Sequence, residues 1–568
     1  MSVFLFCKEI YDSFFFADDF FPEYLLFTST KNKAYYLEEI MKHKYRNYYF
    51  PVLICIFFCL CIFLVRHAFS VRTQTNASLP VTEVKQSFSF LNTIDSELSE
   101  LCDGDLNNTA FFQELENRTN IHIDWITSLS NLQIQNRFEQ NSDSVPDLIG
   151  AGNFSSIYGN ISADDAIAHG DICDLTELVP KYAPNYYKII QQRDIKDIAY
   201  TDSGRIAAVY SIKQNSQKPW CGLQIRKDWL DELGLEIPVT YDDWETVLTA
   251  FKEKKGATAP LWISYDAYAQ DESLNAGFGV SYDFFQMDGK VFYGPARQGW
   301  KDYLTLMNRW YQKGLIDVDY MTGNSIYADS KMIASGTSGA WFGMYTMPSD
   351  LSAKDQNIKV IAVSPPKLNE HDTLHIQKRY SISDNMFYIS SRCEHPEIVL
   401  KWIDYLFSDE GSRFASYGTE GKTYTLDKDQ NPVFTDLILH NSDGLTFYQA
   451  LKNYTLAPGL PSAYIDWKRE FQCVPPSSAV MCDVWASTDT SYMLPVSLSF
   501  TSEERTRLSQ IMANVNSCMY EYTTAFITGI KSFDNYEEYL NTLKKNKIDE
   551  AVQIYQNAYD RYLAKHSS

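Results

Sequence analysis

Three short motifs in the sequence approach known catalytic patterns, and none of them is complete. Gly150-Ala-Gly152 lacks the third glycine of the dinucleotide-binding fingerprint. Gly336-Thr-Ser-Gly339 has the wrong spacing for the nucleophile elbow of serine hydrolases. His371 and His375 lie four residues apart, but the glutamate of the zinc motif H-E-x-x-H is missing. The sequence therefore predicts no cofactor and favours binding over bond-making chemistry.

A fourth motif resembles an ion-binding loop. Asp427-Lys-Asp429-Gln-Asn431-Pro432 begins like a calcium loop, but Pro432 replaces the required glycine and no glutamate closes the loop. The segment predicts a hairpin turn, and no metal site is expected. The phosphate-binding pattern G-x-x-x-x-G-K-[ST] is also absent, so any ATP hydrolysis must be the task of a partner protein.

Aromatic residues and negative charge dominate the composition. The 568 residues include 39 Tyr, 34 Phe and 11 Trp, and the net charge is −22. Flat rings bury much area at small entropic cost, so part of this set can line a binding site while the rest packs in the core. The negative charge disfavours binding to nucleic-acid phosphates.

An apolar run near the N-terminus indicates export. Tyr48 to Val65 is close to the minimum length for spanning a bilayer, and basic residues precede it. Ala68-Phe69-Ser70 resembles a cleavage site, so a cleaved signal peptide and a retained anchor both fit. Lipid modification is a third alternative, because Cys59 and Cys61 lie in the run, although neither follows a small residue. We expect the chain from residue 71 onward to lie at the extracellular face of the cytoplasmic membrane, anchored or secreted.

The start of the chain and its cysteines leave two questions open. Met41 opens a conventional export signal, so residues 1–40 are interpreted as an upstream extension, and either Met1 or Met41 is the true start. Seven cysteines follow residue 71 without any C-x-x-C pair, which argues against a disulfide scaffold. Cys473 and Cys482 are either bridged or buried as free thiols.

The periodicity of the exported chain predicts an α/β protein. Ser87 to Leu91 and Ile121 to Trp125 alternate like strands, and a helix between them carries Phe112 and Leu115. This β-α-β order implies a parallel sheet. Helical patterns dominate the middle and the C-terminal region, while strands return near 358–390. Such a late return predicts that the chain leaves one lobe, builds a second and comes back.

Several segments resemble family 1 extracellular solute-binding proteins, the capture subunits of ABC importers, and in particular Firmicutes-type sugar-binding lipoproteins. The matching stretches run from about Phe88 to Leu563, and their order and spacing carry the resemblance. They are Phe112–Trp125, Leu178–Asn185, Ile225–Leu235, Trp310–Asp317, Phe407–Gly411, Gly418–Tyr424 and Ala525–Tyr539.

The resemblance implies a two-lobe, periplasmic-binding-protein-like (type II) fold with hinge crossovers and a helical C-terminal region. It places the crossovers near Ile206–Ile212, Trp341–Met344 and Tyr388–Ser390. We expect the following parts: 1–47, N-terminal extension and n-region; 48–70, signal peptide or anchor; 71–84, tether; 85–207 with 343–389, lobe 1; 208–342 with 390–568, lobe 2.

The expected ligand site lies in the cleft between the lobes. Asn153 follows a predicted strand end, where open α/β sheets bind ligands, and Trp341 has small neighbours that leave its ring face open, which makes it the leading candidate. The other candidates lie near the crossovers or in irregular segments. The ligand-binding candidates are Asn153, Tyr210, Trp220, Trp341, Tyr345, Asp384, Asn385, Trp467 and Trp485.

Three classes of function remain open. The resemblance implies a monomeric solute-binding protein that captures a small solute, expected to be an oligosaccharide, and delivers it to ABC permease subunits without acting as an enzyme. An extracellular hydrolase or lyase is the alternative, since a pair of carboxylates in the cleft would supply its chemistry. A surface sensor is the third, because the fold alone does not determine function.

Overall fold

Fifteen strands appear in the part of the chain that the structure describes. The computed structural model describes residues 79–566, except 128–129, 140–144, 215–217, 265–271, 321–327, 378–382, 384, 458–459 and 461. The strands are β1 (Gln86–Leu91), β2 (Ile121–Ile126), β3 (Leu148–Gly150), β4 (Val209–Tyr210), β5 (Ile212–Lys213), β6 (Cys221–Arg226), β7 (Leu261–Trp262), β8 (Phe284–Met287), β9 (Lys290–Tyr293), β10 (Ala340–Met344), β11 (Val360–Ala362), β12 (Met386–Ile389), β13 (Tyr424–Leu426), β14 (Pro432–Phe434) and β15 (Tyr464–Ile465).

Helices connect and cover these strands. The α-helices are α1 (Ser96–Leu101), α2 (Ala110–Thr119), α3 (Asn131–Glu139), α4 (Ala151–Tyr158), α5 (Ala163–His169), α6 (Leu178–Tyr182), α7 (Pro184–Ile190), α8 (Arg193–Ala199), α9 (Lys227–Leu233), α10 (Tyr241–Lys255), α11 (Gln298–Gln312), α12 (Ser330–Ala334), α13 (Met347–Lys354), α14 (Pro396–Tyr405), α15 (Asp409–Tyr417), α16 (Asp436–Leu439), α17 (Phe447–Tyr454), α18 (Pro476–Trp485), α19 (Ser502–Thr528), α20 (Tyr536–Lys545) and α21 (Ile548–His566). Short 3₁₀ helices span Leu106–Asn108, Ala276–Phe278, Gly294–Ala296, Trp467–Cys473 and Phe533–Asn535.

The first sheet confirms the predicted β-α-β unit. Its order is β2-β1-β3-β12-β4, and β1 runs parallel to β2 and β3. Alternation places Phe88 and Phe90 in the core. The intervening helix α2 is capped at its N-terminus by Thr109, whose hydroxyl accepts the Phe112 N–H, and at its C-terminus by Asn120 in a left-handed conformation. Local patterning therefore accounts for the strands and the helix of this unit.

The second sheet belongs to a separate lobe with its own core. Its order is β11-β6-β10-β7, and all six residues of β6 are buried. Helix α10 packs its Trp244 and Phe251 face into this core and begins with a capping box formed by Thr240 and Asp243. The long helix α19 packs against α11 and α21, so the C-terminal helices extend the same core.

The chain crosses between the two lobes in three places. It leaves the first sheet at Tyr210 and enters the second at Cys221, and it returns from β11 to β12. It crosses again after β15, because Tyr464 packs against the first core whereas Phe471 packs with Trp485 of the second lobe. In the first crossing, β5 pairs parallel with β15, so two crossing segments lie side by side.

The structure divides the chain between the lobes differently from the prediction. The segment 340–344 is an inner strand of the second sheet rather than a crossover, and 360–362 also pairs within that sheet rather than in lobe 1. Helices α14 and α15 pack against the first core and not in lobe 2, because their apolar faces, including Trp402 and Phe414, are buried there. A short apolar strand that contains glycine has the same sequence pattern whether it lies in a hinge or in the middle of a sheet.

The N-terminal predictions lie largely outside the described residues, including the apolar run 48–65. Within the predicted tether, Leu79 and Val81 pack against the first core, and the Val81 N–H donates to the Thr119 carbonyl. No helix in the described ranges is long and apolar enough to cross a membrane. Cys473 and Cys482 are both free thiols.

Candidate functional site

Two sheet edges bring side chains together at the junction of the lobes. In the second sheet, Cys221 pairs with Met344, so Trp220 and Tyr345 leave that sheet at the same edge, where the Tyr345 N–H donates to the Trp220 carbonyl over 3.0 Å. In the first sheet, the Ser211 N–H donates to the Asn385 carbonyl over 2.8 Å. Residues from both edges line the same cavity.

The third group of site residues follows the paired crossing strands. Ile212 of β5 pairs with Tyr464 of β15, and Lys213 pairs with Ile465. Immediately after β15, Asp466 caps the 3₁₀ helix Trp467–Cys473 by accepting the Lys468 N–H. This helix projects side chains into the space between the lobes.

Together these segments enclose a cavity of about 390 Å³, which we call the interlobe cavity. Its volume lies within the usual range for small-molecule sites. Both lobes and the crossing segments contribute to its lining, which consists of Ser211, Lys213, Trp220, Met344, Tyr345, Thr346, Asn385, Tyr448, Leu456, Ala457, Leu460, Ile465, Trp467, Arg469, Glu470 and Phe471.

Five aromatic rings make up much of the cavity wall. They are Trp220, Tyr345, Tyr448, Trp467 and Phe471. The Phe471 ring lies 5.3 Å from Tyr345 and 5.3 Å from Trp467 between centroids, tilted in one case and edge-on in the other. This mutual packing restricts the orientations of Tyr345, Trp467 and Phe471, whose flat faces are available to a ligand.

Polar groups are interleaved with the rings. The hydroxyls of Tyr345 and Tyr448 lie 3.3 Å apart, and the Tyr345 hydroxyl donates to a Glu470 carboxylate oxygen over 3.5 Å. Burial raises the pKa of Tyr345, and the Glu470 charge adds to that effect. Tyr345 therefore stays a neutral hydroxyl that can donate or accept a hydrogen bond.

Two cations are buried in the cavity wall. Arg469 is only 2% exposed, and its guanidinium donates to the carbonyls of Ala415, Ser416 and Leu456. Desolvation lowers its pKa, and the neighbouring Glu470 opposes that shift. Lys213, on β5, is likewise buried. Arg469 thus ties together the first-lobe segments behind the cavity.

Four of the predicted site residues line the interlobe cavity. Trp220, Tyr345, Asn385 and Trp467 all contribute to its wall, and the Asn385 amide also donates to the Leu460 carbonyl over 3.4 Å. Asp384 lies outside the described residues. That these residues contact a ligand stays a prediction.

Trp341, the leading sequence candidate, does not line the cavity. It is fully buried and packs with Trp262, Ile333 and Leu351. Its small neighbours serve packing: a Cβ on Gly339 would meet Phe251 at 2.3 Å. The glycines therefore admit bulky core rings rather than exposing Trp341.

Three other candidates are also absent from the cavity lining. Asn153 is 1% exposed. Its amide NH₂ group donates to the Thr93 hydroxyl, and its amide oxygen accepts the Thr93 N–H. These hydrogen bonds connect α4 to the segment after β1. Trp485 donates its indole N–H to the Leu223 carbonyl over 3.0 Å and covers Gly222. Tyr210 packs against the first core, and only its neighbour Ser211 reaches the cavity.

Sequence reasoning missed several lining residues, chiefly Ser211, Lys213, Tyr448, Arg469, Glu470 and Phe471. One signal was present for part of this set. The stretch Tyr464–Phe471 interleaves aromatic with charged residues, which is an unusual pattern for an amphipathic element. The other lining residues carried no such local signal.

The remaining predictions about metals and carboxylates can be compared with the structure. The Asp427 motif forms the predicted hairpin, with β13 antiparallel to β14 and the Asp427 carboxylate accepting the Asp429 and Asn431 N–H groups. Among the described residues, no group of three or more His, Cys, Asp or Glu side chains is placed to hold a metal ion. Glu470 is the only carboxylate among the described lining residues, so they offer no carboxylate pair.

Comparison with known proteins identifies the family to which the chain belongs. The family model described as bacterial extracellular solute-binding protein matches residues 106–413. The fructooligosaccharide ABC transporter substrate-binding protein FusA of Streptococcus pneumoniae serotype 4 is 25% identical over 499 residues, covering 82% of this chain and 89% of FusA. Lipoprotein LipO of Bacillus subtilis is 24% identical over 300 residues, covering 49% of this chain and 58% of LipO.

Solved structures share the fold. The alginate-binding protein AlgQ2 without calcium ion matches with a TM-score of 0.67 and 23% identity, over 84% of this chain and 99% of AlgQ2. An extracellular solute-binding protein of Bifidobacterium longum subsp. infantis matches with a TM-score of 0.68 and 20% identity, over 84% of this chain and 98% of that protein. These likenesses establish the two-lobe architecture.

Proposed function

Because the chain belongs to the bacterial extracellular solute-binding protein family, we propose that it captures an oligosaccharide in the interlobe cavity and delivers it to the membrane subunits of an ABC importer. One observation carries the choice of ligand: five aromatic rings and a set of polar groups line a single cavity supplied by both lobes. Sugar rings present apolar C–H faces and polar hydroxyl edges. Aromatic faces pack against the C–H faces of a sugar, while amide, carboxylate and hydroxyl groups form hydrogen bonds with its hydroxyls.

The paired crossing strands supply the mechanical element of capture. Neither lobe alone encloses a ligand, because Trp220 and Tyr345 come from one lobe and Tyr448 from the other. Hinge rotation about the segments that contain β5 and β15 would bring the walls together and exclude water. A ligand shifts the population toward the closed form only as far as it binds that form more tightly.

The names of related proteins agree with a saccharide ligand without identifying it. FusA is named for fructooligosaccharides, and a Bacillus subtilis relative, YtcQ, is named as a polygalacturonan and rhamnogalacturonan-binding protein. We extend only the class, oligosaccharide, to this chain. We further propose that it works as a monomer outside the cell, attached to the cytoplasmic membrane or secreted through its N-terminal segment.

A thermal-shift and calorimetry panel of fructo-, galacturono-, alginate and human-milk oligosaccharides tests the proposal. At least one class should raise the melting temperature by mass action. Trp467→Ala should lower the affinity at least about tenfold, or about 1.4 kcal/mol, because it removes one aromatic wall.

Trp125→Ala is the matched control. Trp125 is half-buried in the first lobe and stacks on Phe90 with centroids 5.1 Å apart, outside the cavity. This variant should lower the melting temperature of the free protein and keep the ligand-induced rise. Equal loss of binding in both variants, or no response to any saccharide from a folded protein, would refute the proposal.

The hydrolase or lyase alternative has its own readout. The bound saccharide should be recovered intact by mass spectrometry after prolonged incubation with stoichiometric protein. Cleaved or unsaturated products that disappear in Glu470→Gln would instead identify an enzyme.

A further inference from the structure

A second cavity, of about 460 Å³, lies in the second lobe between the hairpin β8–β9 and the helices α19 and α21. We call it the hairpin cavity. The residues that matter for its chemistry are Asp283, Phe284, Tyr293, Met519, Tyr520 and Tyr555. All of them belong to the second lobe, so this space is separate from the interlobe cavity.

One acidic group sets the charge of the hairpin cavity. Asp283 lies at the start of the hairpin and forms no ion pair with any described residue, and no Lys or Arg is among the described lining residues. Desolvation raises the pKa of its carboxyl to about 6, so it is largely ionised at neutral pH. The Asp283 side chain is exposed, so an incoming cation can reach its carboxylate directly, and the neighbouring ring faces of the cavity add to the attraction.

A second polar group in the wall also lacks a partner. Tyr293 is 3% exposed, and its buried hydroxyl has no hydrogen-bond partner in the described structure. Buried hydroxyls are ordinarily hydrogen-bonded. Burial raises the pKa of Tyr293, and the Asp283 charge raises it further, so the phenol stays neutral.

Aromatic faces form the rest of the wall. Phe284 stacks on Tyr555 with centroids 3.8 Å apart and an interplanar angle of 13°, and it lies 5.0 Å from Tyr293. Tyr520 is 43% exposed at the cavity rim, and Met519 is buried. Ring faces are negative and attract cations, and the thioether of methionine adds a polarisable apolar contact.

We propose that the hairpin cavity binds a small organic cation, with its ammonium group at Asp283 and its apolar part against Phe284, Tyr293 and Tyr555. Its volume fits a small molecule. The net charge of −22 raises the local concentration of cations around the protein. This inference does not depend on the ligand of the interlobe cavity.

Calorimetry on the full chain tests the proposal with choline, putrescine and ethylammonium, and with 3,3-dimethylbutan-1-ol, the uncharged isostere of choline. At pH 7.5, at least one cation should bind, and the uncharged isostere should bind at least about tenfold more weakly than choline if choline is that cation. Absence of binding for all three cations up to about 10 mM would overturn the proposal.

Two charge-neutralising variants locate the site. Asp283→Asn should weaken cation binding at least about tenfold. Asp288→Asn removes the same charge from the turn of the same hairpin, outside the cavity, and should leave affinity unchanged. Tyr520→Ala, at the exposed rim, provides a second variant that keeps the core intact and should also weaken binding. Equal effects of Asp283→Asn and Asp288→Asn would show that only overall charge matters and would refute the site.

The pH dependence gives an independent readout. With a pKa of about 6, the ionised fraction of Asp283 falls about tenfold between pH 7 and pH 5. The other titratable groups among the described lining residues are Tyr282, Tyr293, Tyr520 and Tyr555, and burial raises the pKa of Tyr293 and of Tyr555. Cation affinity should therefore fall about tenfold in the native protein and stay flat in Asp283→Asn.

Discussion

The interlobe cavity and the hairpin cavity have similar volumes, about 390 and 460 Å³, but they differ in construction and charge. Both lobes and two crossing strands build the first, whereas one hairpin and two helices of a single lobe build the second. Two buried cations and one carboxylate line the interlobe cavity; a single carboxylate lines the hairpin cavity. Aromatic rings are common to both.

This difference teaches that aromatic lining alone does not define a capture site. A wall shared by two bodies changes shape when they move, so ligand binding there is linked to closure. A wall within one body keeps its shape, so ligand binding there depends on fixed charge and fit. Four measurements can test which residues line each cavity, which contacts stabilise it and whether the two cavities bind their ligands independently.

The largest effect is expected at the boundary of the interlobe cavity. Trp341 lies on the same strand as Met344, which lines the cavity, but its side chain is in the core. Trp341→Ala should lower the free energy of unfolding by about 3–5 kcal/mol in urea titrations because it leaves a large void. Saccharide affinity of the folded fraction should stay within about twofold. Lost binding with unchanged stability would place Trp341 in the cavity after all.

A pH-dependent effect is expected beside the hairpin cavity. The buried Glu272 accepts hydrogen bonds from Asn275, Ser281 and the Tyr282 N–H, and Tyr282 lines that cavity. Desolvation raises its pKa from 4.5 to about 7. A carboxyl with a raised pKa stabilises the fold fully below pH 4.5 and loses that contribution as the pH rises through 7.

Glu272→Gln isolates this contribution, because other carboxyl groups with a raised pKa, such as that of Asp404, are present in both proteins. The stability of the native protein minus that of Glu272→Gln should decrease by up to about 3 kcal/mol between pH 4.5 and pH 8. Urea unfolding at several pH values measures it. A difference that is flat or increases with pH would contradict the assignment.

A smaller effect is expected from one hydroxyl of the interlobe cavity. Tyr448→Phe removes the group that lies 3.3 Å from the Tyr345 hydroxyl while keeping the ring. Saccharide affinity should fall by about 0.5–1.5 kcal/mol in calorimetry if the pair orients a sugar hydroxyl. Tyr454→Phe, on the same helix but outside the cavity, should have no effect.

The smallest effect is expected between the two cavities. A saturating saccharide should change the affinity for an organic cation by less than about twofold, because no described lining residue is shared and the hairpin cavity lies within one lobe. Calorimetric titration of cation with and without saccharide measures the coupling. A change of tenfold or more would mean that closure reshapes the hairpin cavity.

Local elements were predictable wherever a few residues carry the signal. The β1–α2–β2 unit appears in the structure as predicted, and the capping boxes at Thr240 and Thr501 are equally short sequence patterns. Their cause lies in alternation, helical periodicity and side-chain caps, which act over a few positions.

The site was only partly predictable. Trp220, Tyr345, Asn385 and Trp467 were chosen because they lie near the predicted crossovers or in irregular segments, and they line the interlobe cavity. Their contact with a ligand stays a prediction. Trp341 was chosen for its small neighbours and lies in the core. A glycine beside an aromatic residue indicates close packing without saying whether a ring or a ligand fills the space. Tyr448 and Arg469 lie in segments that the sequence analysis assigned to lobe 2, whereas in the structure these segments contact the first lobe. Their neighbours could therefore not be inferred from the sequence.

The sequence by itself determined the α/β character, the negative net charge, the chain's likeness to exported binding proteins and a few helix starts, because composition and short-range periodicity encode these properties. Only the tertiary structure decided which rings face a cavity and which lie in the core. The walls of the interlobe cavity come from segments far apart in the chain, and their meeting depends on which apolar faces each lobe buries. That choice is made by packing over the whole molecule, and no single stretch of sequence contains it.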